Sequence, residues 1–222
     1  MCLDSIRKPR FSKRRKTITV YKLLLFDPDS DRFLSFIRLH PWWLNDIQYS
    51  TRKSVDWTLT ERLTTKIEKG FHFYRSLKDA FFAGIYNSDF DIFAVVECCV
   101  QTRDVVAVGK VVSVFYSYGP VDSLVAINCK PVRVRMFISK RPDLPCVPGT
   151  YRTVPYVQLP DLIRYLPAAF CELSRYKLHK VLSGWFKKIH PRLKDRTGKT
   201  FVFNYKDELC KYNSGINNRK RK

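Results

Sequence analysis

Residues 17–26 read TITVYKLLLF, and the turn-forming cluster DPDSD follows them directly. The β-branched start and the alternation of side chains predict a strand. Residues 32–39, RFLSFIRL, alternate again, so the two segments predict a hairpin closed by the DPDSD loop. Pro41 ends the second strand because proline has no amide donor. The body of the chain therefore begins with a pair of strands.

The rest of the body continues the strand pattern around one short helix. Residues 70–74, GFHFY, predict a strand, and Ser76 with Asp79 three positions later predicts a capped helix of about two turns. Gly109 and residues 118–120 predict turns. The further predicted strands are residues 92–100, 105–108, 111–118, 124–128 and 132–138. Together they predict an α+β body with a mostly antiparallel sheet.

The C-terminal part differs in composition from the body. Five prolines between residues 140 and 160 argue against a helix interior and against a central strand, which predicts a linker or an extended arm. Residues 161–190 then predict a basic amphipathic helix. Its charged face is either a solvated surface or a binding surface. The basic residues opposite its apolar stripe are Arg164, Arg175, Lys177, Lys180, Lys187 and Lys188.

Positive charge is concentrated at the two ends of the sequence. The formal net charge is +21, and residues 1–22 and 164–222 hold 24 of the 41 Lys and Arg residues but only five of the 20 acids. We therefore predict a basic arm (1–16), a body (17–139), a Pro-rich linker or arm (140–160) and a basic helical region with a tail (161–222). Such ends are typical of chains that bind a polyanion. The predicted nucleic-acid-binding residues are Arg10, Lys13, Arg14, Arg15, Lys16, Lys177, Lys180, Lys187, Lys188, Arg219, Lys220, Arg221 and Lys222.

Motifs of catalysis are scarce. The sequence has no Gly-rich phosphate loop, GxSxG, HExxH or zinc-ligand spacing, so we expect no cofactor and no metal. His72 is either a buried, hydrogen-bonded histidine or a residue beside an anion at the helix start. Glu97 lies in an apolar strand, either facing outward or in a cleft with a raised pKa. The seven cysteines are scattered, which predicts reduced thiols, with Cys98 and Cys99 as separate thiols of the core.

The absence of targeting patterns bounds the location. No run of about 18 apolar residues occurs, and the N-terminal stretch is basic rather than apolar. We therefore expect no membrane span and no secretion.

Several of these segments also resemble a known family. Met1-Cys2-Leu3, the strand VYK at residues 20–22, residues 69–80 (KGFHFYRSLKDA) and VECCV at residues 96–100 are similar to small uncharacterised proteins of bacteriophages, bacteria and large DNA viruses. The resemblance covers roughly residues 1–138 and departs at Phe73-Tyr74, where that family usually has Ser-Phe. It implies a viral protein in a virion or an infected host cell, in the cytoplasm or the nucleus. The family has no assigned activity to carry over to this chain.

A more distant resemblance is to ADP-ribosyltransferase-like domains. Tyr21-Lys22 and residues 70–72 occupy places comparable to that fold's first two motifs, which implies a strongly curved sheet, split or continuous. Lys22 stands where the family has Arg or His, and Asn128 stands where its catalytic Glu would be. The candidate catalytic residues under this resemblance are Lys22, His72 and Glu97.

Three functions remain open from the sequence. The leading hypothesis is a non-enzymatic, virus-associated protein whose basic ends bind nucleic acid or an acidic protein surface. The second is a minor structural component of a virion that docks on capsid or core proteins. The third is an ADP-ribosyltransferase-like enzyme.

Overall fold

The chain has an α+β fold with a mixed sheet. The computed structural model describes residues 5–12, 14, 16–35, 41–49, 70–86, 91–111, 121–140, 149–160, 172–195 and 198–219. In these residues there are three α-helices and twelve strands. The chain divides into two compact units. Unit 1 comprises Met1–Ser88 and Phe93–Arg135, and unit 2 comprises Asp89–Ile92 and Met136–Lys222.

Unit 1 is built around one long central strand. Its elements are β1 (Ser5–Arg7), β2 (Thr17–Asp27), β3 (Arg32–Leu34), β4 (Pro41–Trp42), β5 (Gln48–Tyr49), β6 (Phe71–Tyr74), helix α1 (Leu77–Tyr86), β7 (Ile92–Gln101), β8 (Val105–Val111), β9 (Val121–Ala126) and β10 (Asn128–Ser139). Two of these strands are shared with unit 2, which contains Ile92 of β7 and the residues of β10 from Met136 onward. The strand order is β1-β8-β9-β6-β2-β7-β10, with β3 beside β2, β4 beside β3 and β5 beside β10.

The predicted hairpin is confirmed. β2 pairs antiparallel with β3, Leu25 lying opposite Leu34, and along its other edge it pairs antiparallel with β7 from Thr17 to Leu25. Residues 36–39 of the predicted second strand lie outside the described residues. Leu23, Leu24, Leu25 and Phe26 are all buried, as expected for a strand covered on both faces.

Helix α1 begins at the predicted cap. The Ser76 hydroxyl accepts a hydrogen bond from the Asp79 amide at 3.1 Å, which satisfies one of the free donors of the first turn. The Asp79 carboxylate accepts from the same hydroxyl at 2.6 Å rather than from a backbone amide, so only half of the capping box forms. The helix has ten residues, nearly three turns rather than the predicted two. It buries Leu77, Ala80 and Phe81, as its spacing predicts, and it packs on β2.

Gly109 does not form the predicted turn. β8 runs without interruption from Val105 to Val111, and Gly109 pairs with Ser123 of β9 on one side and with Ile6 of β1 on the other. The sequence pattern separated two strands here because glycine usually weakens a strand interior. Residues 112–120, which include the other predicted turn, lie outside the described residues.

Unit 2 contains the parallel part of the sheet. The end of β10 pairs in parallel with β11 (Tyr156–Gln158), which pairs in parallel with β12 (Thr200–Val202). β11 is therefore a central strand, and the expectation that residues 140–160 hold none is wrong. Pro155 and Pro160 stand on either side of β11 and leave its amides free to pair. The domain boundaries proposed from composition stay a prediction.

Two helices complete unit 2. They are α2 (Glu172–Ile189) and α3 (Tyr205–Arg219). The core of the unit holds Phe137, Ile138, Val157, Leu182 and Phe203, each almost fully buried. The Trp185 and Phe203 rings meet edge to face, with centroids 5.0 Å apart. None of the described helices is long and apolar enough to cross a membrane.

Candidate functional site

Helix α2 of unit 2 buries one face. Its apolar residues recur three and four positions apart, which places them on one side of a helix. Pro191 follows shortly after the helix end, where the helix cannot continue. The buried residues of this face are Leu178, Val181, Leu182, Trp185, Phe186 and Ile189.

The other side of α2 exposes four lysines and a tyrosine. Lys177, Lys180, Lys187 and Lys188 are all exposed, and 55% of the Tyr176 surface is accessible. Within the described residues, neither Lys177 nor Lys187 forms an ion pair. Both side chains are exposed to solvent.

Four of the exposed residues form a single row along the helix. Tyr176, Lys180, Gly184 and Lys188 are four positions apart, so successive members lie about 6 Å apart along the axis. We call them the α2 stripe. The Lys180 Nζ atom lies 4.4 Å from the centre of the Tyr176 ring. Hydrogen bonding to Tyr176, with a weaker contribution from Tyr212, raises the pKa of Lys180 above its ordinary value.

Helix α3 lies beside the α2 stripe and supplies the opposite wall. The Asn204 side chain accepts hydrogen bonds from the amides of Lys206 (3.1 Å) and Asp207 (3.3 Å), which fixes the start of α3. Glu208 in the first turn accepts from Lys211 at 2.9 Å and from Lys188 at 3.4 Å. Burial acts to raise the pKa of Glu208, but these two lysines outweigh it and hold the pKa below its ordinary value.

A cleft of about 140 Å³ lies between the side chains of α2 and α3. We call it the α2–α3 cleft, and three lysines and one glutamate give its rim a net positive charge. A Cβ atom built on Gly184 would meet no atom within 4 Å, so the middle of the cleft is open. The residues around it include Lys180, Gly184, Lys188, Glu208, Lys211 and Tyr212.

The other predicted nucleic-acid-binding residues are only partly described. Arg10, Arg14 and Lys16 are exposed and belong to unit 1, whereas the α2 lysines belong to unit 2. Arg219 is the last residue of α3. Lys13, Arg15, Lys220, Arg221 and Lys222 lie outside the described residues.

In unit 1 the structure brings Lys22 and His72 together. The Lys22 Nζ atom donates a hydrogen bond to the His72 carbonyl oxygen at 2.9 Å and lies 5.6 Å from the ring centres of both Trp42 and Phe73. Lys22 as a whole is partly exposed, but its ammonium is enclosed by protein atoms, and this burial lowers its pKa to about 8. Burial, followed by the charge of Lys22, lowers the pKa of His72 to about 3.

Glu97 lies on the opposite face of the β2–β7 pair. It is directly across from Tyr21, and adjacent strand residues point to opposite faces, so Lys22 points away from it. Its carboxylate accepts hydrogen bonds from Arg135 at 2.6 Å and Arg133 at 3.2 Å, and only 14% of its side chain is exposed. The three candidate catalytic residues therefore do not line one site.

The described cysteines carry no disulfide. Cys98 and Cys129 are buried, Cys99 is half-buried and Cys210 is exposed, all as free thiols. The prediction of a buried thiol is confirmed for Cys98, whereas Cys99, which points to the other face of the strand, is only half-buried. Within the described residues, no group of three or more His, Cys, Asp or Glu side chains is arranged to hold a metal ion.

Comparison of the chain with protein-family models, curated proteins and solved structures gives no match. The family resemblances suggested by the sequence therefore stay hypotheses.

Several residues of the α2–α3 cleft escape sequence reasoning. Gly184, Glu208 and Lys211 were not predicted as binding residues, because their roles depend on α3 packing beside α2. One local signal was available: Asn204 followed by Asp207 and Glu208 is a typical helix start. The four-residue spacing of the α2 stripe was a second signal. Trp185 and Phe186 are buried on the apolar face of α2 and are not exposed for stacking.

Proposed function

We propose that this chain is a non-enzymatic, virus-associated protein that binds nucleic acid without sequence preference, using α2 as a basic amphipathic helix. One observation carries the proposal: the face of α2 opposite its buried residues exposes Lys177, Lys180, Lys187 and Lys188 together. Lysines contact phosphates as point charges and need no particular base beside them.

The charge pattern favours a polyanion over a small acidic ligand. The four lysines extend over three turns of α2, about 16 Å along its axis at 1.5 Å per residue, so a single small anion cannot contact all of them. A polymer with regularly spaced phosphates can. The basic arm and the C-terminal tail would add further phosphate contacts.

The proposal is tested by measuring the DNA affinity of variants in which lysines of α2 are replaced by uncharged glutamine. We expect Lys177→Gln/Lys187→Gln to weaken binding of a 20-nucleotide DNA in 50 mM salt by about tenfold, or about 1.4 kcal/mol. The matched control Arg32→Gln/Lys130→Gln removes two exposed charges from unit 1 and should change the affinity less than twofold. Replacing Arg10, Arg14, Lys16 and Arg219 together by glutamine, which leaves strand β1 in place, should also weaken binding. Equal losses in the two double variants would indicate a net-charge effect and contradict a specific role for α2.

An acidic protein surface is the alternative partner. Lysine faces also bind carboxylate-rich proteins, and a minor virion component would dock on capsid or core proteins in this way. Mass spectrometry of purified particles would separate a virion role from one in the infected cell, in the cytoplasm or nucleus. Binding of acidic proteins but not of nucleic acid would favour the virion role.

The enzyme alternative has less support. An ADP-ribosyltransferase-like activity would draw on Lys22, His72 and Glu97, yet Glu97 lies on the face opposite Lys22 and is held by two arginines. Incubation with labelled NAD, with Glu97→Gln as the control, tests it directly. Transfer of label that the variant lacks would overturn the non-enzymatic proposal.

A further inference from the structure

The α2–α3 cleft combines positive charge with aromatic surface. Lys180, Lys188 and Lys211 stand around it, and the Tyr212 side chain is one of its walls. At the end of the α2 stripe, the exposed Tyr176 ring lies against Lys180. Lysines that contact phosphates and aromatic rings that stack on bases are the two elements with which proteins hold single strands.

The lysines of the cleft keep donors for a ligand. The side chains of Lys188 and Lys211 are 65% and 63% exposed, and both are held in place by Glu208. An ammonium group has three N–H donors, so one bond to Glu208 leaves others for phosphate oxygens. Glu208 therefore positions two cations at the rim and also competes with an incoming anion.

The size of the cleft limits what can enter it. Its volume of about 140 Å³ is below the range of about 300–1,000 Å³ typical of small-molecule pockets. A complete dinucleotide cofactor does not fit this volume. A single group that projects from a longer ligand does.

Gly184 keeps the middle of the cleft open. A glycine inside a helix destabilises that helix relative to alanine, because the backbone of glycine loses more conformational freedom on folding. In α2 this glycine occupies the position of the stripe at which any longer side chain would project into the cleft. The position is therefore suited to receiving a flat group between Lys180 and Lys188.

We propose that the α2–α3 cleft binds one nucleotide of a single-stranded nucleic acid, with its phosphate on Lys188 and Lys211 and its base against Tyr212. The proposal rests on the nucleic-acid-binding function and adds a preference for single strands. A duplex keeps its bases stacked inside and offers only phosphates and groove edges to this surface. The exposed lysines of α2 bind either form, whereas the cleft accepts only an unstacked base.

The test fills the cleft without changing its charge. The full chain is titrated with fluorescent dT12 and with a 12-base-pair duplex, comparing wild type with Gly184→Met and with Gly184→Ala. Base stacking on an aromatic side chain is worth about 1–3 kcal/mol, so we expect Gly184→Met to weaken dT12 binding by about five- to 150-fold. Duplex binding should change less than twofold. Gly184→Ala adds only a methyl group and should bind dT12 to within about threefold of wild type.

Three further variants examine the contacts one by one. Tyr212→Leu should weaken dT12 binding, and Tyr212→Phe should retain it because the ring remains. Glu208→Gln should tighten binding, because it frees Lys188 and Lys211 from a competing carboxylate.

In protein labelled with 5-fluorotryptophan, the ¹⁹F resonance of Trp185, assigned with Trp185→Phe, should shift when dT12 is added to wild type but not to Gly184→Met. Unchanged circular dichroism and melting temperature identify variants that remain folded.

The outcomes separate this inference from the proposed function. If Gly184→Met and Tyr212→Leu bind dT12 as wild type does while Lys177→Gln/Lys187→Gln is weakened, the cleft inference is wrong and nucleic-acid binding stands. If wild type binds neither dT12 nor the duplex, both fail. Equal losses for dT12 and the duplex would overturn the single-strand preference. Polyglutamate is added at the same concentration of negative charges as dT12. If wild type binds it and Gly184→Met does not, the claim that the cleft binds a nucleotide is wrong, and an acidic protein is the better partner.

Discussion

Replacing Lys22 by methionine should change how the stability of the protein depends on pH. The ammonium of Lys22 is enclosed between Trp42, Phe73 and the His72 carbonyl, and burial lowers its pKa from 10.5 to about 8. Between these two values the unfolded chain binds a proton at Lys22 and the folded protein does not. The free energy of unfolding of the wild type therefore rises with pH across this window.

The magnitude follows from the two pKa values. A pKa change from 10.5 to about 8 corresponds to about 3 kcal/mol at 1.36 kcal/mol per pH unit, and about 2 to 3 kcal/mol of it is regained between pH 7 and pH 10. Methionine has a similar length and no charge, so Lys22→Met lacks this gain. The variant also leaves the His72 carbonyl without its donor, at a cost of about 1–3 kcal/mol that does not depend on pH. The pH dependence thus isolates the buried charge from the lost hydrogen bond.

Urea unfolding followed by circular dichroism at pH 7, 8, 9 and 10 measures this difference. Subtracting the variant's free energy of unfolding from that of wild type removes the titration of the other lysines and tyrosines. We expect the difference to rise by about 2 to 3 kcal/mol from pH 7 to pH 10. Lys130→Met, at an exposed lysine of β10, is the control and should follow the pH dependence of wild type. If the free energies of unfolding of wild type and Lys22→Met change equally with pH, the claim that the Lys22 ammonium is enclosed is wrong.

Two further predictions concern unit 1. The pKa of His72 is lowered from 6.5 to about 3, so the unfolded state binds the extra proton and stability falls as the pH drops through this window, by up to about 4 to 5 kcal/mol. His72→Gln should remove this part of the acid sensitivity in urea unfolding at pH 7 and pH 4, and an unchanged acid dependence would show that His72 is solvated. Glu97→Gln should lower the free energy of unfolding by about 1–3 kcal/mol, because the side chains of Glu97 and Arg135 are largely covered by protein. This value lies between those of exposed and of buried ion pairs. Arg133→Gln should cost less, since 39% of that side chain is exposed, and the reverse order in urea unfolding would contradict this arrangement.

The sequence was informative where local chemistry decides the structure. Residues 17–20 alternate between exposed and buried positions, and residues 23–26 form an apolar run that is buried on both faces of β2, so the sequence pattern is sufficient to predict this strand. Ser76 fixes the start of α1 through one hydrogen bond between neighbours in the chain. The spacing of Val181, Leu182, Trp185 and Ile189 also identifies the buried face of α2.

The sequence was less informative where distant segments meet. β11 is stabilised by pairing with both β10 and β12, which residues 156–158 alone do not reveal. The α2–α3 cleft depends on contacts between residues about 20 or more positions apart, such as Lys188 with Glu208, which are 20 positions apart. Glu97 and Lys22 could be grouped as one site from the sequence because only the strand register places them on opposite faces.

The salt dependence of nucleic-acid binding tests the central claim most directly. If the four exposed lysines of α2 contact phosphates, a plot of log Kobs against log salt concentration for a single strand should have a slope of about −3 or steeper, at about −0.7 per contact. Lys177→Gln/Lys187→Gln should make the slope shallower by about 1.4. A slope near zero, or the same slope in the wild type and this variant, would contradict the claim that α2 binds nucleic acid.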